Sequence, residues 1–233
     1  MKNELAIITG GTKGIGLALV KKFLKEGFHV FTCASGTESV DALKNEIQDS
    51  RLSVSRVDLN NKLEIKEWAS KVLAQGLPVS VLINNAGRFL PGSVSEEEDE
   101  VFEKMISTNL GSAYHTTRAF VHAMKSQKRG HIFNICSTAS ITAYTNGGSY
   151  CISKFGLLGM GKVLREELKT DGIKVSSVLP GATFTDSWAG AGLPESRFMK
   201  PEDIADIVWA AYSLSDSCVM EEILLRPMAG DIV

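Results

Sequence analysis

No stretch of this sequence approaches the about 20 consecutive apolar residues that a bilayer-spanning helix requires. The first apolar run stops at Gly10-Gly11, too soon for a secretory leader and its cleavage site, so a cytoplasmic location is expected. Cysteine is scarce, with Cys33, Cys136, Cys151 and Cys218 making up all 4. They form no Cys-x-x-Cys pair and no cysteine/histidine spacing, which argues against a metal site or a redox dithiol; four reduced, buried thiols are expected. An excess of one charge is missing too. The chain has 25 Lys+Arg against 27 Asp+Glu, a formal net charge of −2, which gives neither nucleic acid nor an anionic membrane an electrostatic footing. No proline- or serine-rich linker, repeat or charge block divides the chain, so one domain over residues 1–233 is the economical reading.

What is present is ordinary globular material, 44% hydrophobic and 22% charged over 233 residues, enough to form a core without disulfides or metal. Strand-length apolar runs at 5–9, 29–33, 52–57, 79–83, 131–136, 175–179 and 222–225 alternate with helix-length segments such as 15–27, 37–49 and 62–75. That alternation predicts an α/β fold, a parallel sheet of about seven strands with helices on both faces. Gly27, Gly76, Gly130 and Gly172 stand where helix C-cap glycines belong, and Pro201 followed by Glu202 and Asp203 reads as a first helical turn. The acidic run 96–100 is expected to be the solvated start of a helix.

The first strand runs directly into Gly10-Gly11-Thr12-Lys13-Gly14-Ile15-Gly16, and a helix follows at once. Glycines there let the backbone turn sharply and let a phosphate reach the free N–H groups of the helix start. Further motifs follow in order: Asn84-Asn85-Ala86-Gly87, Asn109, Ser137, Tyr150-x3-Lys154 and Pro180-Gly181. With this set the chain resembles the short-chain dehydrogenases/reductases over nearly its whole length. The resemblance implies a single-domain Rossmann fold with a doubly wound parallel sheet, hydride transfer to or from a nicotinamide cofactor, and the following roles.

Gly10, Thr12, Lys13, Gly14, Ile15 and Gly16 would hold the pyrophosphate end, and Asn85, Ala86 and Gly87 would line the cofactor. Asp58 resembles the residue that contacts adenine, with Leu59 beside it; a helix N-cap role for Asp58 is the other reading. No carboxylate stands in Cys33-Ala34-Ser35-Gly36-Thr37, where an NAD site places one for the ribose hydroxyl. That absence, Lys13 in the glycine loop and the hydroxyls of Ser35 and Thr37 point to NADP(H), although Glu38 is close by. Pro180 and Gly181 would pack on the nicotinamide, and Thr183 or Thr185 would bind its carboxamide or a phosphate oxygen.

Tyr150 and Lys154, four apart in a helical stretch, share one helix face. An ammonium near a phenol lowers a pKa that is otherwise about 10. Tyr150 would then serve as general acid or base, and Ser137 would steady the same substrate oxygen. In the family, Lys154 also binds the nicotinamide ribose and Asn109 holds a relay water. The substrate end is less defined. Residues 184–200 form a short loop with glycines and apolar residues, too short to enclose a bulky steroid-like ligand well. Trp188 in it either stacks on a flat ring or packs under the loop. The C-terminus, with Arg226-Pro227, is similar to bacterial sepiapterin reductases, which would make Asp186 or Asp231 a partner for an aminopterin. The expected substrate is a small carbonyl/alcohol pair, sepiapterin or a vicinal diketone. A 3-oxoacyl thioester reductase or 3-hydroxy acid dehydrogenase is the alternative, and a non-catalytic dinucleotide-binding regulator is the alternative of another class. Family resemblance also implies a homodimer or homotetramer through the helices bearing Asn109 and Tyr150, with Phe155, Leu157, Leu158, Met160 and Val163 in that interface or in the core.

Overall fold

Successive residues of a strand face opposite sides of a sheet, and along residues 5–8 both sets are apolar, as a strand covered on both faces requires. A computed structural model, which describes residues 2–186 and 192–232, places that strand at the centre of one sheet. Leu5–Thr9 (β1) pairs with His29–Ala34 (β2), which pairs with Leu52–Arg56 (β3). On the other side β1 pairs with Val79–Asn84 (β4), followed by Gly130–Ile135 (β5), Ile173–Pro180 (β6) and Glu222–Leu225 (β7). All pairings are parallel, in the order β3-β2-β1-β4-β5-β6-β7. The order reverses between β1 and β4, which opens a crevice above their C-terminal ends.

The helices are Gly14–Lys25 (α1), Thr37–Glu46 (α2), Lys62–Leu73 (α3), Val101–Met105 (α4), Ser112–Gln127 (α5), Gly148–Leu168 (α6) and Pro201–Tyr212 (α7). Ala6, Ile8, Val81, Ile83, Phe133 and Val178 pack against α1 and α7, where Phe23 and Phe28 meet Trp209 and Tyr212 edge-on. The alternate residues Leu5, Ile7, Leu82, Ile132 and Val175 pack against Trp68 of α3, Phe120 of α5 and Leu168 of α6. Two cores on the two sheet faces leave the strand ends free for chemistry.

Several expectations are corrected by long-range contacts. The helix expected to bear Asn109 is interrupted by a π-helical turn, Ile106–Gly111, that contains this buried residue. Such turns widen the helix where a side chain must be re-aimed. The acidic run does not start the helix, since α4 begins at Val101, and Glu97 is not simply solvated but bonds to Ser149. Gly130 lies in β5 rather than at a C-cap; Lys128 takes the left-handed conformation there (φ 49°). Gly27, Gly76 and Gly172 do have positive φ. Asp58 is not an N-cap. Asn61 caps α3, and Asp58 instead accepts from the Asn60 N–H at 2.9 Å. Cys218 is exposed, unlike the other three thiols. Leu157 and Leu158 belong to the core, whereas Phe155 and Val163 are exposed.

Candidate active site

Every expected site residue among the described ones follows or adjoins a strand end on the C-terminal edge of the sheet, or lies on an element beside it. The glycine loop follows β1 and is held by hydroxyls and amides from its neighbours. Thr32 of β2 accepts from the Gly11 N–H at 3.1 Å. Asn85, after β4, donates to the carbonyls of Thr9 and Gly10 at 2.9 and 3.0 Å, and the Thr9 hydroxyl accepts from the Asn85 and Ala86 N–H groups. Asn84 is wholly structural, donating to Thr117 and Asn134 in the interior. A Cβ on Gly16 would lie 2.1 Å from the Gly10 carbonyl oxygen, so the helix start sits directly beneath the loop.

These residues fit a dinucleotide phosphate. The N-cap of α1, Lys13, forms no side-chain cap, and no acidic residue occupies the first turn. The N–H groups of that turn therefore remain available to an anion, favoured by the helix dipole. Thr185 lies against Gly14, where a Cβ would approach its Cγ2 to 3.0 Å. Thr183 is buried and donates to the Gly181 carbonyl at 3.1 Å, which engages its hydroxyl proton. Lys13 pairs with Asp186 at 3.2 Å, both side chains being mostly exposed. Ser35 lies exposed after β2, Thr37 opens α2, and Asp58 and Leu59 follow β3 at the same edge. Thr12 is part of the glycine loop, and Ile15 and Leu59 also pack on the two cores.

The catalytic candidates converge from three elements. Ser137 follows β5 and caps a short 3₁₀ turn, accepting from the Ala139 N–H at 3.1 Å. Tyr150 stands in the first turn of α6, its hydroxyl near enough to Ser137 for that serine to favour the phenolate. Lys154, one turn on, is buried and donates to the Ile135 carbonyl at 2.9 Å. A Cβ on Gly87 would come within 3.5 Å of Lys154 Nζ and 3.3 Å of Asn109 Oδ1, so the bare face of that glycine leaves the space a ribose would need. Asn109 donates to Ser153 and to the Arg88 carbonyl at 2.9 Å each, and accepts from the Arg88 N–H at 2.7 Å. It ties the segment after β4 to α6 and makes no direct bond to Lys154.

The electrostatics correct one expectation. Burial pushes the Tyr150 hydroxyl up to about 12, against the lowering effect of nearby Ser137. Lys154 does not reverse this: its ammonium is engaged by Ile135 and stands 5.8 Å from the Tyr150 ring centroid, and burial lowers its own pKa. The chain alone thus holds the proton on Tyr150, a state suited to donating it.

Three residues at the site were not singled out from the sequence. Phe89 meets the Tyr150 ring edge-on at 4.9 Å and is 39% exposed. Its signal was available, an exposed aromatic two residues after Asn84-Asn85-Ala86-Gly87. Tyr144 is also exposed and close enough to Tyr150 to couple to it electrostatically. Arg56, the last residue of β3, lies opposite Ala34 in the β2–β3 register. Both carboxylates considered for an aminopterin already face cations, Asp186 with Lys13 and Asp231 with Arg226. Trp188 lies outside the described residues. No group of three or more His, Cys, Asp or Glu side chains arranged to hold a metal occurs among the described residues, and no described helix is long and apolar enough to cross a membrane.

Known proteins with the same pattern are numerous. A 3alpha-hydroxysteroid dehydrogenase of Mediterraneibacter gnavus is 35% identical over 96% of this chain and 95% of its own. A sepiapterin reductase of Chlorobaculum tepidum is 30% identical over 98% of each chain. A metagenomic short-chain oxidoreductase, solved in complex with NADP, superposes with a TM-score of 0.84 at 32% identity, covering 97% of this chain and 98% of its own. The short chain dehydrogenase family matches residues 4–194, a span that includes the glycine loop, Asn109, Ser137, Tyr150 and Lys154. With that match and this geometry, the chain belongs to the short chain dehydrogenase family and is an oxidoreductase.

Proposed function

We propose that this protein is an NADP(H)-dependent reductase of a small ketone carried on, or next to, a flat ring. The observation that carries this reading is the surround of Tyr150: Ser137 near its hydroxyl, the exposed Phe89 ring edge-on to its own at 4.9 Å, and the exposed Tyr144 near enough to couple to it electrostatically. Aromatic faces bind flat rings, whereas a free acid or a phosphate-bearing thioester calls for a cation. NADP over NAD is supported by Lys13 in the glycine loop and the missing carboxylate after β2.

NADPH, when bound, supplies the hydride. Tyr150 donates its proton to the substrate oxygen, and Ser137 holds that oxygen in place. Lys154 and Asn109 flank the space beside Gly87, where the cofactor ribose would sit. Sepiapterin remains the leading example, and steroid ketones join it through the hydroxysteroid dehydrogenase relative, despite the short substrate loop. The first experiment follows NADPH oxidation with sepiapterin, a steroid ketone and an acetoacetyl thioester. Faster turnover of either ring ketone supports the proposal; preference for the thioester moves the protein to the 3-oxoacyl reductases. Tyr114, Ile152, Phe155 and Val163 expose apolar surface on α5 and α6, which a second copy of the chain would cover. A monomer in sedimentation equilibrium would refute that dimer.

A further inference from the structure

We propose that Glu97 is a positioning residue for the reaction, holding the first turn of α6, and with it the Tyr150 hydroxyl, from the segment between β4 and α4. The inference rests on reading Tyr150 as the proton donor.

The start of α6 has little of its own to fix it. Asn146, Gly147 and Gly148 precede Ser149, and the N-cap residue, Gly147, has no side chain with which to satisfy the helix N–H groups. Two successive glycines also leave the backbone the most freedom to lose on ordering. Glu97, 52 residues earlier in the chain, supplies the missing partner. Its Oε1 accepts from the Ser149 N–H at 2.9 Å, and its Oε2 accepts from the Ser149 hydroxyl. A carboxylate in this position also suits the positive end of the helix dipole.

The neighbouring glycines make room for it. A Cβ on Gly148 would lie 1.9 Å from Glu97 Oε1, and one on Gly92 would lie 2.6 Å from Glu97 Cγ. The same segment is tied a second time, by the Gly92 N–H donating to the Asn146 carbonyl at 3.0 Å. From its other end Phe89 reaches the Tyr150 ring. One carboxylate therefore ties the residue next to Tyr150 to the segment carrying the ring that meets it. Proton transfer depends on sub-ångström placement, so loosening this turn acts on turnover more than on cofactor affinity.

The test compares Glu97→Ala, Glu97→Gln and Ser149→Ala with the parent protein, reading kcat and KM for the best ring ketone, NADPH affinity by fluorescence titration, and thermal stability. Glu97→Ala is expected to lower kcat about tenfold and raise the ketone KM, with NADPH affinity within about twofold. Glu97→Gln should recover most of kcat, since its amide oxygen still accepts the Ser149 N–H. A Glu97→Ala protein that only melts earlier, with kcat and KM unchanged, would overturn the proposal, as would a Gln variant no better than Ala. Should Glu97→Ala fail to fold, Ser149→Ala, which removes one of the two bonds, carries the test: a several-fold loss of kcat supports the proposal and an unchanged kcat overturns it. A parent protein inactive on every ketone would defeat the catalytic reading, and Glu97's role with it; a fully active Ala variant defeats the Glu97 role alone.

Discussion

Residues 9–16 and residues 88–100 both follow strands at the same edge of the sheet but are built differently. In the first, strand, glycine turn and helix start follow one another within eight positions, and the anion-binding N–H groups come from consecutive residues. In the second, the chain has little regular structure before α4 and takes its shape from partners far away: Gly92 on Asn146, Glu97 on Ser149, Phe89 on Tyr150. The contrast shows that the anion-binding turn is written locally while the surround of Tyr150 is assembled from separate pieces of chain. It also says which changes should damage which function.

The largest effect should fall on the proposed proton donor. Tyr150→Phe removes the proton donor and should cut turnover by about 10³-fold, with NADPH affinity unchanged by fluorescence titration. A variant retaining most of its turnover would break the catalytic assignment. In the parent protein the hydroxyl is pushed up to about 12, so the acid form persists through neutral pH. Alcohol oxidation, which needs the phenolate, should therefore rise steadily with pH in the alkaline range, while ketone reduction should not. Next, Gly16→Val should weaken NADPH binding by about 10- to 100-fold, because a side chain there meets the Gly10 carbonyl and Asn85. Circular dichroism separates that loss from unfolding. Normal NADPH affinity in this variant would undercut the local account of the glycine loop.

On the other side of the comparison, Phe89→Ala should raise KM for a ring ketone by about 2- to 10-fold, the range expected for one aromatic contact, and leave NADPH affinity alone. An equal effect on a small acyclic ketone would mean that Phe89 only supports Tyr150. The smallest effect should come from Asp186→Asn. It frees Lys13 from an exposed ion pair that is worth at most about 1 kcal/mol. NADPH should then bind up to a few-fold more tightly, with NADH unaffected, as isothermal titration would show. Equal tightening of both cofactors would place Lys13 away from the adenosine phosphate.

Much of this was legible in the chain. β1 at Leu5–Thr9 follows the expected bounds because a doubly buried strand is a continuous apolar run ended by glycine. The other expected strands lie within one or two positions of those observed, for the same reason. Ser137, Tyr150 and Lys154 could be picked out because their spacing and the glycine loop occur together. The π turn around Asn109 was not legible, since its cause is a set of bonds to Arg88 and Ser153, distant in sequence. Glu97 looked like part of an acidic run for the same reason. The pairing of Asp186 with Lys13 likewise depends on where the segment after β6 lies.

The sequence by itself determined the strand–helix alternation and the anion-binding loop, because each rests on neighbours within a few residues and on periodicity; Tyr150 stood out as the proposed proton donor only through the family resemblance. Only the tertiary structure decided that burial raises the Tyr150 hydroxyl, that the Phe89 ring meets the Tyr150 ring edge-on, and that Glu97 bonds to the residue before it. Those properties depend on burial and on contacts between segments far apart in the chain. No local pattern encodes them, since desolvation and long-range hydrogen bonds exist only once the sheet has brought the segments together.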